Sequence, residues 1–518
     1  ITIISNVSIS CNSGNNCNTA RAEIPPAGTW GNHSLTMAYV DSDADPTTYM
    51  SSSDSLILPN CSEVLWAGLY WGARIAANTT NYNNRTSVKL KLNSGSYQTM
   101  NADQTLDVPT INGQSWTQPS YYCFKNITGI VSGAGLNARF TIADLVSQGG
   151  SGRFGGWSIV VVYKNVLQSM RNLTVFDGLA NVGQNSTLNI PFSGFITPPT
   201  GPVSFELGLI AHDGDRDLQG DYLQFNGVTV SDALHSATNF FNSSITDNAV
   251  LTPFRNPSYN NTLGYDANLI SPNNSALNYL GNNATSATLT IGTNQDVIIP
   301  RVITSAIDIY EPDLRATVYV QDLNGGQVVP GDILEYTMVG KNIGSDVSDS
   351  TYMVDTLDLR MTYIPGSITY LNGGLAGPKT DVTADDQAEY DAVNRVIKMR
   401  VGTGATSALG GEMINSVNGT DSSSVRFQVV VVNDCLILAC DSTLENKAYI
   451  FGTGVLSNNS VTNNGASNVY DALGCATSAN NLVTINTSGC PVVDIGSNPP
   501  LCVGDTLNLT SLYSVWAN

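Results

Sequence analysis

The sequence is short of charge. Asp, Glu, Lys and Arg make up 12% of its 518 residues, about half the share typical of soluble domains. Basic residues are the scarcer sign: 22 Lys and Arg stand against 42 Asp and Glu, a formal charge of −20. Nucleic acid and anionic membrane surfaces are therefore excluded as main partners, because both need clustered cations. Histidine is nearly missing, with His33, His212 and His235 alone. None of them sits in a GxSxG, HExxH or GxxxxGK[ST] pattern, so the chain does not read as an enzyme. Long hydrophobic runs are lacking too. The longest, Trp157 to Tyr163, is far below the ~20 residues that span a bilayer, which argues against membrane insertion. Stretches with helical spacing are few and short, and Thr141 to Gln148 and Ser231 to Phe241 are expected as short helices capping sheet ends.

What remains is strand-forming. Hydrophobic residues still make up 42% of the chain, enough to bury a core. The uncharged polar share is carried by Asn, Ser, Thr and Gly, with 22 Tyr as the leading aromatic. Thr and Tyr suit pleated sheets, and Asn and Gly supply positive-φ turns. The expected class is all-β, built as serial β-sandwiches. Residues 1–308 form a large jelly-roll-like N-terminal domain in which runs such as Ser55 to Leu58, Val64 to Trp71, Ser87 to Leu92, Trp157 to Tyr163, Leu173 to Phe176 and Val203 to Ala211 alternate with Gly/Asn/Pro turns. Residues 309–470 fit an Ig-like sandwich. In its ILEYTMVGKN run the inward residues are Ile333, Tyr336 or Leu334, and Met338, depending on register. Residues 471–490 form a Cys-bracketed linker, and 491–518 look like the first strands of a further, truncated Ig-like repeat. The opening ITIISNVSIS has neither a basic start nor an apolar run, as expected after removal of a leader or in a fragment.

Nine cysteines without a CxxC or a His at zinc-ligand spacing argue for disulfides outside the cytoplasm and against a metal cluster. One pairing consistent with the spacings joins Cys11 to Cys17, Cys435 to Cys440, Cys475 to Cys490 and Cys61 to Cys123, leaving Cys502 over. Spacing alone does not fix the connectivity.

Two acidic runs have the spacing of calcium loops. In Asp213-Gly-Asp215-Arg-Asp217-Leu-Gln-Gly-Asp221, alternate carboxylates in a tight loop can converge on one hard cation, and Ca²⁺ takes six to eight oxygens. The run lacks the sixth-position Gly and twelfth-position Glu of an EF-hand. Asp41, Asp43 and Asp45 repeat the alternation ahead of Pro46. The bland reading of both is a solvated turn whose Asp side chains bond nearby N–H groups. Among the aromatics, Trp66, Tyr70, Trp71 and Trp157 have apolar, strand-like neighbours and belong to a core. Tyr121, Tyr122 and the loops 78–84 and 256–261 are expected to be exposed and available to glycans or a neighbouring chain.

Several passages resemble a known family. PGDILEYTMVGKNIGS, VDTLDLRMTYIPGSITY and ENKAYIFG are similar to the conserved-repeat β-sandwich domain, of unknown function, of large bacterial surface proteins. Asp358 stands where that pattern has Pro. VDSDADPTTYMSSSDSLILP, VLWAGLYWGA, GGWSIVVVYKN, RNLTVFDGL and HDGDRDLQGDYLQFNG resemble the amino-terminal region of giant Bacteroidota surface proteins, and PPLCVGDTLNLT the start of their Ig-like repeats. The resemblance implies an extracellular adhesin or filamentous appendage, exported by a type IX route, whose distal part attaches to glycans or proteins of another cell, to other surfaces or to sister subunits as a homo-oligomer. A Ca²⁺-dependent carbohydrate-binding module and a secreted glycosidase are the alternatives. The latter stays open because paired carboxylates leave no spacing signature.

Overall fold

In the strands Ser62–Arg74 and Gly155–Asn165 almost every interior residue is apolar or small, and this lack of alternation governs the architecture. The computed structural model describes residues 1–489 apart from 13–14, 27, 44, 112–113, 166, 373–375, 416–421, 435–436, 439–441, 464–468, 471–474 and 478–481. The expectations for Cys435, Cys440, Cys490, Cys502, most of the linker and the module from 491 fall outside the described residues. The chain divides into two units, Ile1–Ile309 and Tyr310–Asn518, and the described residues are overwhelmingly β.

The two apolar strands pair antiparallel, Trp157 opposite Trp71 and Ile159 opposite Leu69. They are the middle of a five-stranded sheet ordered Thr2–Val7, Gly155–Asn165, Ser62–Arg74, Gln114–Asn126, Gln104–Ile111. Successive side chains point to opposite faces. Leu69, Trp71, Trp157 and Ile159 pack with Leu56, Leu90 and Phe140 of a four-stranded sheet, ordered Ser51–Ile57, Asn137–Ala143, Ser87–Leu92, Gln98–Asn101. Ile3, Tyr70 and Val160, on the other face, pack with Ile210, Tyr265, Leu269 and Val302. These belong to a six-stranded sheet ordered Arg171–Asp177, Ile299–Asp308, Phe205–His212, Tyr265–Ile270, Ile245–Asp247, Val250–Leu251. The far face of that sheet carries Leu207, Leu209, Ile303 and Ile307, which meet Leu223, Phe225, Leu289 and Ile291 of the four-stranded sheet Ser186–Ser193, Ser286–Thr293, Asp221–Phe225, Val228–Val230.

The N-terminal unit is thus four sheets deep, two sandwiches face to face rather than one large one. Its two middle sheets are covered on both sides, so their central strands read as near-continuous buried runs rather than alternating ones, whereas the outer strand Ser186–Ser193 is exposed at alternate residues over most of its length.

Local structure departs from the sequence expectation at three places. Thr141 continues the strand Asn137–Ala143, where Phe140 and Ile142 are buried, so no helix forms there. Residues 231–241 are turns: the N–H groups of Phe240 and Phe241 donate to the Asp221 carboxylate at 2.7 and 2.8 Å instead of to carbonyls four residues back. Tyr121 and Tyr122 are 1% and 0% exposed, because their strand is interior to the five-stranded sheet. Helices among the described residues include the α-helices Asn15–Ala22 and Thr128–Gly133 and the single-turn 3₁₀ helices Asn32–Ser34 and Tyr82–Asn84.

Tyr310–Asn518 contains a two-sheet sandwich. Leu314–Asp322, Ile333–Asn342 and Ser422–Val431 dominate one sheet, and Val396–Arg400, Ser348–Thr356 and Ala448–Gly454 the other. Ile333–Asn342 alternates strictly, and Leu334, Tyr336 and Met338 are the inward set, each 0% exposed. The Asp of the VDTL motif and the Asn of the ENKA motif meet in this core: Asn446 Nδ2 donates to Asp355 Oδ2 at 2.7 Å. Burial pushes the Asp355 carboxyl up to about 7, against the hydrogen bond from Asn446, which lowers it.

Two outcomes are expected in chemical denaturation. A Cβ on Gly156 would lie 2.6 Å from the Tyr265 ring, so Gly156→Ala forces the middle sheets apart and costs about 1–3 kcal/mol, while Gly178→Ala, with open space around it, is near neutral. The neutral Asp355 acid contributes stability that is fully present below the unfolded carboxyl range and is lost as pH rises through about 7. Between pH 5 and 8 the C-terminal unit therefore weakens, and Asp355→Asn flattens that slope.

Candidate metal centre

The loop 213–221 joins Phe205–His212 of the six-stranded sheet to Asp221–Phe225 of the neighbouring outer sheet, so its carboxylates gather at one end of the second sandwich. Asp213 adopts a left-handed conformation, φ 69°, and turns the chain inward. The Asp215 N–H donates to Asp296 Oδ2 at 3.0 Å, and Asp215 Oδ1 accepts from the Asn32 N–H at 3.4 Å. His33 caps the mouth: its Nδ1 lies 3.7 Å from Asp215 Oδ2 and its Nε2 3.4 Å from Asp217 Oδ2. One ligand atom from each of these three residues falls within 4.8 Å of the others. Asp221 Oδ1 is occupied by the Phe240 and Phe241 amides, and its Oδ2 is buried without a partner.

Two carboxylates that the spacing did not announce complete the cluster. Asp266 lies on Tyr265–Ile270, opposite Ala211 in the ladder; its Oδ1 accepts from the Ser244 N–H at 3.1 Å and its Oδ2 has no donor. Asp296 precedes Ile299–Asp308 and accepts from the Val297 N–H at 2.7 Å. The one sign that could have found Asp266 is a carboxylate inside YDANLI, a strand otherwise uncharged and wholly buried.

Burial raises all five buried acids, and mutual repulsion adds to it. The carboxyl of Asp213 reaches about 7, with Asp215 adding to the rise. Asp215 and Asp221 reach about 6, and Asp266 about 8. Asp296, repelled by Asp215, Asp213 and Asp221, reaches about 10. Arg216 opposes the rise at Asp266 and Arg74 that at Asp213, without cancelling either. Arg216 is 1% exposed and gives its guanidinium to backbone carbonyls: Nε to Asn242 at 3.0 Å, Nη2 to Ser243 and Asn260 at 2.9 Å each, and Nη1 to Glu23. Arg74 approaches Asp213 no closer than 4.0 Å. The loop is strongly anionic and desolvated, and among the described residues the set of side chains close enough together to share a cation is His33, Asp215 and Asp217 at its mouth. His212 closes its strand, buried, with its imidazole pushed down to about 3 by burial and then by Arg301.

Asp41, Asp43 and Asp45 are not brought together on one point. Asp41 accepts from Ser51 Oγ at 2.8 Å, and Asp45 from the N–H and hydroxyl of Thr47 at 2.9 and 2.7 Å. Asp43 pairs with Lys91 and accepts from Tyr97 OH at 2.6 Å. Partial burial alone would raise its carboxyl, but the hydrogen bonds from Lys91, Tyr97 and Ser51 outweigh it and hold it at about 2.

Of the cysteines, Cys11 and Cys17 are joined, bringing the short strand Ile9–Cys11 against the helix Asn15–Ala22, and Cys61 and Cys475 each take part in a disulfide. The pairing of Cys61 with Cys123 does not occur: Cys123 is a buried free thiol. The sheet register sets Cys123 opposite Trp71. Cys61 precedes Trp71 along the same strand by enough residues, at ~3.3 Å each, to stand about 30 Å away, well beyond the Cα separation a disulfide spans.

No protein-family model and no curated protein matches the chain. Among solved structures it is similar to a backbone pilin of Streptococcus pyogenes at 11% identity and TM-score 0.21, over 59% of this chain and 64% of the pilin. A Corynebacterium diphtheriae protein described as membrane anchored is similar at 9% identity and TM-score 0.18, over 90% of this chain and 95% of that one. The chain spans just under two thirds of the pilin's length, and TM-scores of this size carry no argument. No helix among the described residues is long and apolar enough to cross a membrane.

Arg216 joins this loop to residues from three other segments. Arg216→Met is expected to lower the stability of the N-terminal unit by several kcal/mol, because buried carbonyls lose charged donors at about 1.5–3 kcal/mol each. Thermal unfolding followed by circular dichroism checks this, and Arg216→Lys recovers only part of the loss.

Proposed function

We propose that the chain is an extracellular structural and adhesive segment of a surface appendage, serving as a stiff distal spacer that attaches to surfaces, cells or sister chains. The observation that carries this reading is the buried Cys11–Cys17 cystine, 2% and 3% exposed, set in a unit four sheets deep. Such a bond persists in oxidising surroundings. A stack of sheets with two doubly buried layers resists deformation without needing any chemistry at its surface. Sparse charge and an Asn/Ser/Thr-rich exterior support the same reading, since contacts to glycans or to another copy are made through hydrogen bonds and ring faces rather than ion pairs. Buried free Cys123, with its thiol pushed up to about 12 by burial, is an inert packing group in this scheme.

The test uses natively exported protein and intact producing cells. Intact mass before and after reduction should reveal cystines, surface protease should remove the chain from whole cells, and beads coated with it should adhere to cells or to one another above a denatured control. Fully reduced thiols, or a chain protected from protease until cells are lysed, would overturn the proposal.

A further inference from the structure

We propose that the open side of the first sandwich is a docking groove for an extended peptide segment of another protein, one that alternates apolar side chains and carries a Lys or Arg. The groove lies between Ile3 of the strand Thr2–Val7 and Ile57 of the strand Ser51–Ile57, holds about 450 Å³, and is lined further by Val250 and Phe254.

Both bounding strands stand at the edge of their sheets, and among the described residues no strand pairs with either edge. Their backbone groups on that side are nevertheless aimed outward. The Ser5 N–H donates to Asp54 Oδ2 at 3.0 Å, so Ser5 faces away from its ladder partner Gly155–Asn165. Ile3, two residues back, faces the same way, because the pairing direction alternates along a strand. On the other strand the Ser53 N–H and C=O both pair with Asn256 at 2.8 Å, in an isolated antiparallel bridge. Ser55 and Ile57 therefore present their backbone groups to the same side beyond that bridge. The Ser55 N–H turns to the neighbouring Asp54 Oδ1 at 2.7 Å. Asn256 thus covers this edge at Ser53, and the edge continues past it to the half-exposed Ile57.

Apolar side chains gather at the same place. Ile57, Val250 and Phe254 are each more than half exposed and share this groove. Large apolar side chains exposed together mark an interaction surface. Beside a strand edge the fitting mode is strand addition, in which backbone hydrogen bonds supply affinity and alternate side chains supply specificity. Charge selects the occupant. The charged residues that line the groove are Asp54 and Asp247. Asp54 is buried and holds two N–H groups, whereas Asp247 is exposed, so an incoming segment meets a carboxylate and gains from a cation. A second copy of this chain, at −20, has the wrong sign for that contact. The inference holds whether or not the chain is adhesive.

The test pans a random octapeptide phage library against the full chain, with the Phe254→Ser chain as counter-selection. Enriched peptides are expected to alternate apolar residues around a Lys or Arg, and their synthetic forms to bind the parent chain in fluorescence anisotropy. Phe254→Ser and Val250→Ser, both at exposed positions, should each weaken binding about tenfold with Tm unchanged. Val393→Ser, at an exposed position of the C-terminal unit, should leave binding as it was. Peptides N-methylated at alternate backbone positions should bind about tenfold more weakly, because strand addition uses those N–H groups. Asp247→Asn should weaken the Lys peptide about threefold and its norleucine analogue not at all. No enrichment over the counter-selection, or undiminished binding by both Ser variants or by the methylated peptides, would overturn the proposal. So would a dimer of the chain that Phe254→Ser dissolves, since a second copy would then occupy the groove.

Discussion

Burial of the two middle sheets on both faces is the constraint from which the rest of the N-terminal unit follows. A strand with no solvent face cannot leave a polar group to water, so each one inside must find a partner in the protein. Ser5 Oγ meets Ser158 Oγ at 2.8 Å, and Ser158 Oγ meets Tyr265 OH at 2.8 Å, a chain of hydroxyls crossing the interface between the sandwiches. Trp157 Nε1 donates to Ser52 Oγ at 2.8 Å, and the Ser5 N–H to Asp54 at 3.0 Å. The Ser158–Tyr265, Trp157–Ser52 and Ser5–Asp54 pairings each fix the register of one sheet over the next, because moving a strand by one residue would turn its polar groups into the apolar layers. The acidic cluster lies at the end of the same stack, where Asp221 Oδ2 and Asp266 Oδ2 are left without a donor.

Much of the fold was legible because sheet periodicity is local. The runs Val64 to Trp71 and Trp157 to Tyr163 lie within observed strands, and Ser87 to Leu92 is one in full. The same runs hid the layer count. An unbroken apolar strand says that both faces are covered, but not by what, so a pair of stacked sandwiches read as a single large one. Tyr121 and Tyr122 were assigned to the surface for the same reason: their neighbours in the sheet come from Ser62–Arg74 and Gln104–Ile111, and pairing partners are not written in the local sequence.

The candidate site divides along the same line. Asp213, Asp215, Asp217 and Asp221 announce themselves by spacing, whereas Asp266 and Asp296 arrive through strand pairing and a distant turn. Asp41, Asp43 and Asp45 have nearly the same spacing, yet Lys91 and Tyr97 reach Asp43 from another strand and its hairpin turn. Alternating carboxylates therefore identify a loop able to gather charge, and the surrounding strands decide which side chains reach it.

The pairing of Thr2–Val7 with Gly155–Asn165, together with the reach of Arg216 back to Glu23, has a kinetic consequence. Thr2–Val7 has no place to settle until segments about 150 residues further on exist, and closing such long loops is slow. Until then the strand Thr2–Val7 waits as an unpaired, apolar edge, the part of this chain most open to mispairing with another copy.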